Sequence, residues 1–176
     1  THRVLMHRRP VVAALALPDL RLERKWPITP DTTLANLDPR FERIALCRGG
    51  GPVEIRSVAD QRLLTTLPAS TNLAAYVGLW SADGRFFAVG RDHDATASVR
   101  DVEVWEVASA RPVLLERGSP WGALSFHPRL PRIMVGRADA AVIWSLETGQ
   151  ELTRHPLEGR PVVLQFAPDG DHFSTL

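Results

Sequence analysis

One short pattern returns four times along this chain, and it constrains the fold more than any other feature. LDPRF at 37–41, WSADG at 80–84, FHPRL at 126–130 and FAPDG at 166–170 each set an apolar residue near a turn rich in Pro, Asp or Gly. With Pro39, Ala82, Pro128 and Pro168 as reference, the turns lie 43, 46 and 40 residues apart. A period of about 20–50 residues marks a solenoid or a radial array of sheets. The register holds beyond the turn. Five positions on stand Ile44, Phe87, Ile133 and Phe173, and seven positions on stand Leu46, Val89, Val135 and Thr175. Between them come Ala45, Ala88, Met134 and Ser174, then Cys47, Gly90 and Gly136. Strand side chains alternate between faces, so each of these strands has one bulky face and one nearly bare face. Close packing on both sides is implied.

The stretch from Trp121 to Leu152 shows a whole unit. GALSF, RIMVG, AVIWSL and QEL read as four strands, closed by HPRLP, RAD and ETG. Four antiparallel strands fit a repeat of about forty residues. The same count along the chain gives a partial unit at 1–32, with strands at 3–8, 11–17 and 20–26. Complete units follow at 33–68, 69–117 and 118–157, and a partial one at 158–176. A four-unit ring could lend 162–166 to the first unit, but 172–176 would then duplicate 3–8. The expectation is therefore a segment of a longer array, with an arginine following Leu176.

The third strands carry Trp105 and Trp144 at matching places, with Arg56 and Leu15 as counterparts. ASAR at 108–111 and ETGQ at 147–150 then form tight turns. These residues resemble the WD-repeat β-propeller family, best in Phe166-Ala167-Pro168-Asp169-Gly170 and Val142-Ile143-Trp144. The signatures are eroded: the Asp expected after Trp is Glu106 or Ser145, and no Gly-His pair precedes a first strand. The resemblance implies an all-β propeller segment of four-stranded antiparallel blades, three complete and two partial. It also implies similarity to the propeller segments of bacterial multidomain proteins such as WD-repeat serine/threonine kinases. Twenty arginines against Lys25 alone fit a GC-rich bacterial coding sequence.

Composition narrows the function classes. A net charge of +1 offers no broad field for nucleic acid. Cys47 is the single cysteine, so no internal disulfide forms. No apolar run approaches the roughly 18–20 residues that cross a bilayer, and Val11 to Leu17 reads as a strand rather than a signal peptide. A cytoplasmic compartment is the expectation.

An arginine stands nine residues after each reference position: Arg48, Arg91 and Arg137, with Arg8 equivalent in the first partial unit. Guanidinium groups on one rim suit carboxylate or phosphate. Alternatively they pair between blades with hairpin carboxylates such as Asp92, Asp94 or Asp139. From these arginines to the Trp-equivalent place the counts are 7, 8, 14 and 7, so RDHDATASVRD at 91–101 is an extended loop. Variable loops on a repeated scaffold carry recognition. Arg48, Arg91, Asp92, His93, Asp94 and Arg137 are the candidate partner contacts, with Trp26 and Trp121 near loop ends of the same face. Asp92-His93-Asp94 lacks distant partners for a metal, and the six histidines lack zinc spacing. His127 and His155 read as surface residues. Gly49-Gly50-Gly51 is a hairpin turn without the Lys-Ser/Thr of a phosphate loop, and Gly118-Ser119-Pro120-Trp121-Gly122 has the wrong spacing for a nucleophile elbow. No catalytic, cofactor or metal constellation emerges. The expected function is a non-catalytic interaction scaffold for a protein partner, within a larger protein. The alternative is an enzyme-associated propeller holding a small ligand at its axis, where the first strands offer only Gln165 and Asn36 as polar candidates beside hydroxyls.

Overall fold

The computed structural model describes residues 25, 28–70, 72–93, 100–119, 123–159 and 161–176. The strands read at 3–8, 11–17 and 20–26, Lys25 apart, together with Arg8, Trp26, Asp94 and Trp121, lie outside the described residues. Among the described residues all regular structure is β. The first blade is β1 (Thr32–Leu37), β2 (Arg43–Arg48), β3 (Val53–Ser57) and β4 (Leu63–Leu67). The second is β5 (Ala75–Trp80), β6 (Phe86–Asp92), β7 (Arg100–Glu106) and β8 (Arg111–Ser119). The third is β9 (Leu124–Phe126), β10 (Arg132–Gly136), β11 (Ala140–Ser145) and β12 (Glu151–Pro156), followed by the pair β13 (Leu164–Phe166) and β14 (Phe173–Thr175). Every pairing joins sequential strands and is antiparallel.

The register repeats residue for residue. Ile44 faces Arg56, Phe87 faces Trp105, and Ile133 faces Trp144. A bulge immediately precedes or includes the Trp-equivalent position in all three blades, between Ile55/Arg56, Val104/Trp105 and Ile143/Trp144. The turn that follows places Gln61, Ala110 and Gly149 in the left-handed region. An extra residue increases local twist and bends the strand, so the recurrent bulge gives every blade the same curl.

The bulky and bare faces of the second strands fit together across the seams. Ala45 and Cys47 of the first blade receive Phe87 and Val89 of the second. Ala88 of the second packs in one cluster with Ile133 and Val135 of the third. Met134 of the third meets Leu164 and Phe166 of the last pair. Burial on both sides explains why all seven residues of β6 are inaccessible. Gly78 belongs to the first seam: a Cβ there would lie 2.8 Å from both Leu34 Cδ1 and Phe87 Cζ.

The turns between first and second strands are tied by the residue before each reference position. Asp38 Oδ1 accepts the amides of Glu42 and Arg43 at 2.8 and 3.0 Å, and Ser81 Oγ accepts that of Phe86 at 2.9 Å. His127 Nδ1 accepts those of Arg129 and Leu130, both at 3.0 Å. His127 is therefore a buried cap, not the surface residue its turn sequence suggests. Burial, followed by the charges of Arg132 and Arg129, holds it below the ordinary imidazole range, which keeps Nδ1 free to accept.

Candidate functional site

The second-to-third and fourth-to-first connections emerge at the same end of each blade, and the repeated arginines stand where those second strands finish. Their surroundings differ. Arg48 is exposed. Arg91 is wholly buried, its Nε 3.1 Å from Glu103 Oε1, with Nη1 3.5 Å from the Leu73 carbonyl and 3.8 Å from Cys47 Sγ across the seam. The Glu103 contact is close but poorly aligned, so Nε and Nη2 of Arg91 donate no hydrogen bond. Its stabilisation is that of an ion pair. Arg137, about one-third exposed, crosses to Glu116 on β8 of the preceding blade. Burial is the largest influence on Glu116 and raises its pKa, although Arg137 opposes the shift.

The residue diagonally opposite on the third strand decides these outcomes. Leu46 pairs with Glu54, Val89 with Glu103, and Val135 with Val142, each arginine lying two residues further along the chain. Glu54 is held by Arg56 Nε at 2.8 Å, so Arg48 is left in solvent. Glu103 Oε2 accepts Trp105 Nε1 at 3.2 Å, while Oε1 accepts the Ser70 amide at 3.2 Å and also its hydroxyl. These donors fix the carboxylate in place beside Arg91. Val142 offers nothing, and both Arg137 and Trp144 lose the partner found in the second blade: Arg137 reaches to Glu116, and Trp144 Nε1 is buried without one.

The carboxylates engaging Arg91 and Arg137 thus lie within strands, not in the hairpins. Asp92 is instead 3.5 Å from Arg100 Nε, and its amide donates to the Ala74 carbonyl at 3.1 Å. His93 Nδ1 stands 2.8 Å from Oδ1 of buried Asp101, which also accepts the Gly118 amide at 3.0 Å. One carboxylate thereby fixes the base of the extended loop to the end of β8. Glu103, Glu116 and Asp101 are the members of this network that sequence reasoning missed. A signal existed: Glu54 and Glu103 each stand two residues before the Trp-equivalent position. Among the described residues no three His, Cys, Asp or Glu side chains form a metal-holding group.

No protein-family model matches the sequence, and no curated protein matches it. Solved structures do. A chain of the structure titled "Crystal Structure of Mitotic Checkpoint Complex" superposes with a TM-score of 0.60 at 18% identity, over 82% of this chain and 45% of that one. A chain of Kuenenia stuttgartiensis hydrazine synthase gives 0.63 at 12% identity, over 88% of this chain and 45% of its own length. The blades are those of a β-propeller. At these identities the likeness establishes fold alone, shared here by a checkpoint assembly and an enzyme. The present chain spans 45% of the length of each propeller-bearing neighbour.

Proposed function

We propose that this propeller is a non-catalytic scaffold for protein partners, built of degenerate WD-type repeats, and that it presents the end bearing the second-to-third and fourth-to-first connections. The observation that carries the reading is the contrast between frame and loops. β6 is buried along its whole length, while the connection leaving it is the longest of its kind. A rigid sheet ending in loops of unequal length is how repeat scaffolds separate stability from recognition. Arg48, His93 and Arg137 have the exposure to meet a partner, whereas Arg91 and Asp92 are buried and engage Glu103 and Arg100 within their own blade. Asp94, outside the described residues, completes the proposed surface. The matching registers of Trp105 and Trp144 support the WD assignment, and the checkpoint neighbour, titled as a complex, supports a protein partner.

The larger setting we propose is a multidomain, kinase-linked regulatory protein. This chain has no Gly-rich ATP loop, His-Arg-Asp or Asp-Phe-Gly, so phosphoryl transfer would belong to another domain. Coding sequence flanking the chain tests that part: kinase motifs support it, and their absence removes it. Affinity capture from the source cell tests the face. Partners retained by the wild-type chain should be lost by Arg48→Glu/His93→Ala with an unchanged thermal transition. Retention of every partner by that variant would overturn the loop face as the binding surface.

A further inference from the structure

The blade seams are not equivalent at their turn-bearing end. Two residues before each turn cap, the first strands place Asn36, Leu79, Ser125 and Gln165. Asn36 Nδ2 donates to the Gly78 carbonyl at 2.9 Å, and its backbone carbonyl accepts Trp80 Nε1 at 3.1 Å. Ser125 Oγ accepts the Phe166 amide at 3.1 Å. Leu79 can do neither, and among the described residues no hydrogen bond joins β5 to β9. At the turn tips Arg43 donates across the first seam to the Gly84 carbonyl at 2.7 Å, and the His127 ring stands across the third, against Gly170 and 5.1 Å from Phe166. The second seam opens instead into a groove of about 240 Å³ floored by Leu79, Trp80 and Phe126, with Ala82 and Pro128 beside them. No carboxylate, lysine or arginine lines it. Sites for whole small ligands run to roughly 300–1,000 Å³, so the groove suits a single apolar side chain of a larger partner.

A side chain of that kind projects from the same end of the molecule. Three residues after the cap, the turns place Phe41, Gly84, Leu130 and Gly170. Gly84 and Gly170 have φ of +69° and +80°, the left-handed region that glycine enters freely, and Phe41 stands there at +59°. The conformation is held from beneath. The Phe41 amide donates to the Asp38 carbonyl at 3.0 Å, and the buried Asp38 carboxylate caps the next two amides. Phe41 is nonetheless 67% exposed. A strained residue persists where the surrounding structure over-determines it, and such sites gather where a chain meets its ligands. Large aromatics are the usual anchors of protein contacts. The flanking charges match as well. Beside the groove lies a hollow of about 170 Å³ walled by Asp83, Arg85, Arg129 and Glu147. Arg85 is already engaged by Glu106, its Nε and Nη2 lying 3.0 and 2.8 Å from Oε1, which leaves two carboxylates against one guanidinium. Arg40, the neighbour of Phe41, is exposed and makes no ion pair among the described residues.

We propose that this chain pairs with a second copy of itself, turn end to turn end about a two-fold axis, with Phe41 of each copy in the groove of the other and Arg40 against Asp83 and Glu147 of the hollow. Knob and socket lie on one surface, so the exchange is reciprocal and closes at two copies. The contact uses the opposite end of the blades from the proposed loop face and does not depend on that reading. Centred on two aromatic side chains, it belongs to the weak, transient class of interfaces.

Sedimentation velocity of the 176-residue chain over a concentration series tests the pairing. The wild type should pass from one copy to two as concentration rises toward millimolar. Phe41→Gly should weaken pairing roughly tenfold or more while raising the thermal midpoint of the dilute chain, because glycine relieves the turn. Ala82→Trp, at an exposed position, should fill the groove and weaken pairing to a similar degree with the midpoint unchanged. Arg40→Glu and Glu147→Arg should each weaken it, and the two together should restore it. A wild type that stays monomeric at millimolar concentration, or a folded Phe41→Gly that pairs as tightly as wild type, would overturn the site. Pairing lost on Leu64→Lys, at the outer edge of β4, but kept by Phe41→Gly would move the contact to the sheet edge and overturn it equally.

Discussion

At the ends of β2 and β6 the chain places the same residue in the same register, an arginine two positions beyond a strand pair containing a glutamate, and the two ends come out as opposites. Arg48 stands in solvent while Arg91 has no accessible surface. Nothing about either arginine explains this. The determinant is the residue two positions after each glutamate. Arg56, with a multidentate cation, captures Glu54; Trp105, with a single N–H, takes one oxygen of Glu103 and leaves the other to Ser70 and Arg91. The lesson is that a repeated residue acquires its role from its competitors. The third blade extends the rule, since Val142 competes for nothing and Arg137 finds its acceptor in another blade.

The comparison breaks most visibly if the buried glutamate is removed. Glu103→Ala strands Arg91 without its counter-charge, and urea unfolding should show a loss of about 3–5 kcal/mol. Glu54→Ala, on a half-buried pair near solvent, should cost below about 1 kcal/mol. Equal losses would refute the assignment of opposite roles. The two tryptophans sharpen it. Trp105→Phe deletes a bond to Glu103 whereas Trp144→Phe deletes an N–H with no partner, so the first should be the costlier by about 1 kcal/mol in the same assay.

A pH series separates the inter-blade acceptor from the others. The folded state holds Glu116 above its ordinary range, so it binds that proton more tightly than the unfolded chain does. The associated stability is complete below the unfolded glutamate value of about 4.3 and is lost as pH rises through the raised folded value. Glu116→Gln should therefore gain relative to wild type between pH 4 and pH 7, read from urea midpoints at each pH. A constant offset would deny the shift. Asp38 works in the opposite sense. Burial is the largest single influence and pushes it up, but the Arg43 and Glu42 amides and the Arg43 guanidinium together outweigh it, so its stabilisation appears above the usual aspartate range and fades on acidification. The smallest effect belongs to Arg48→Ala, within about 0.5 kcal/mol, as for an exposed residue free of packing.

Much of the architecture was legible because strand pairing obeys a period of two and the reference turns keep it in phase. Ile44 opposite Arg56 and Phe87 opposite Trp105 follow from that phase, as does the interlocking of Ala45 and Cys47 with Phe87 and Val89. The loop-end network was less legible. Glu103 and Glu116 sit in runs, VEVWEV and VLLERG, whose alternation suggests outward-facing acids; their burial depends on a guanidinium arriving from elsewhere. His127 misled for a related reason, since a turn histidine is buried here only because the neighbouring blade's turn closes over it. The weak second seam was open to reading, as the column Asn36, Leu79, Ser125, Gln165 contains one residue unable to hydrogen-bond.

The interlock of bulky and bare faces also gives the array a polarity. Each sheet offers protruding side chains to its predecessor and a hollow to its successor, so modules couple head to tail like nested spoons. Tandem duplication of one whole repeat length preserves that fit and lets such a gene grow or shrink by entire blades. A two-fold pairing of like faces would set hollow on hollow, leaving voids, and self-association by that route is disfavoured from within the packing itself.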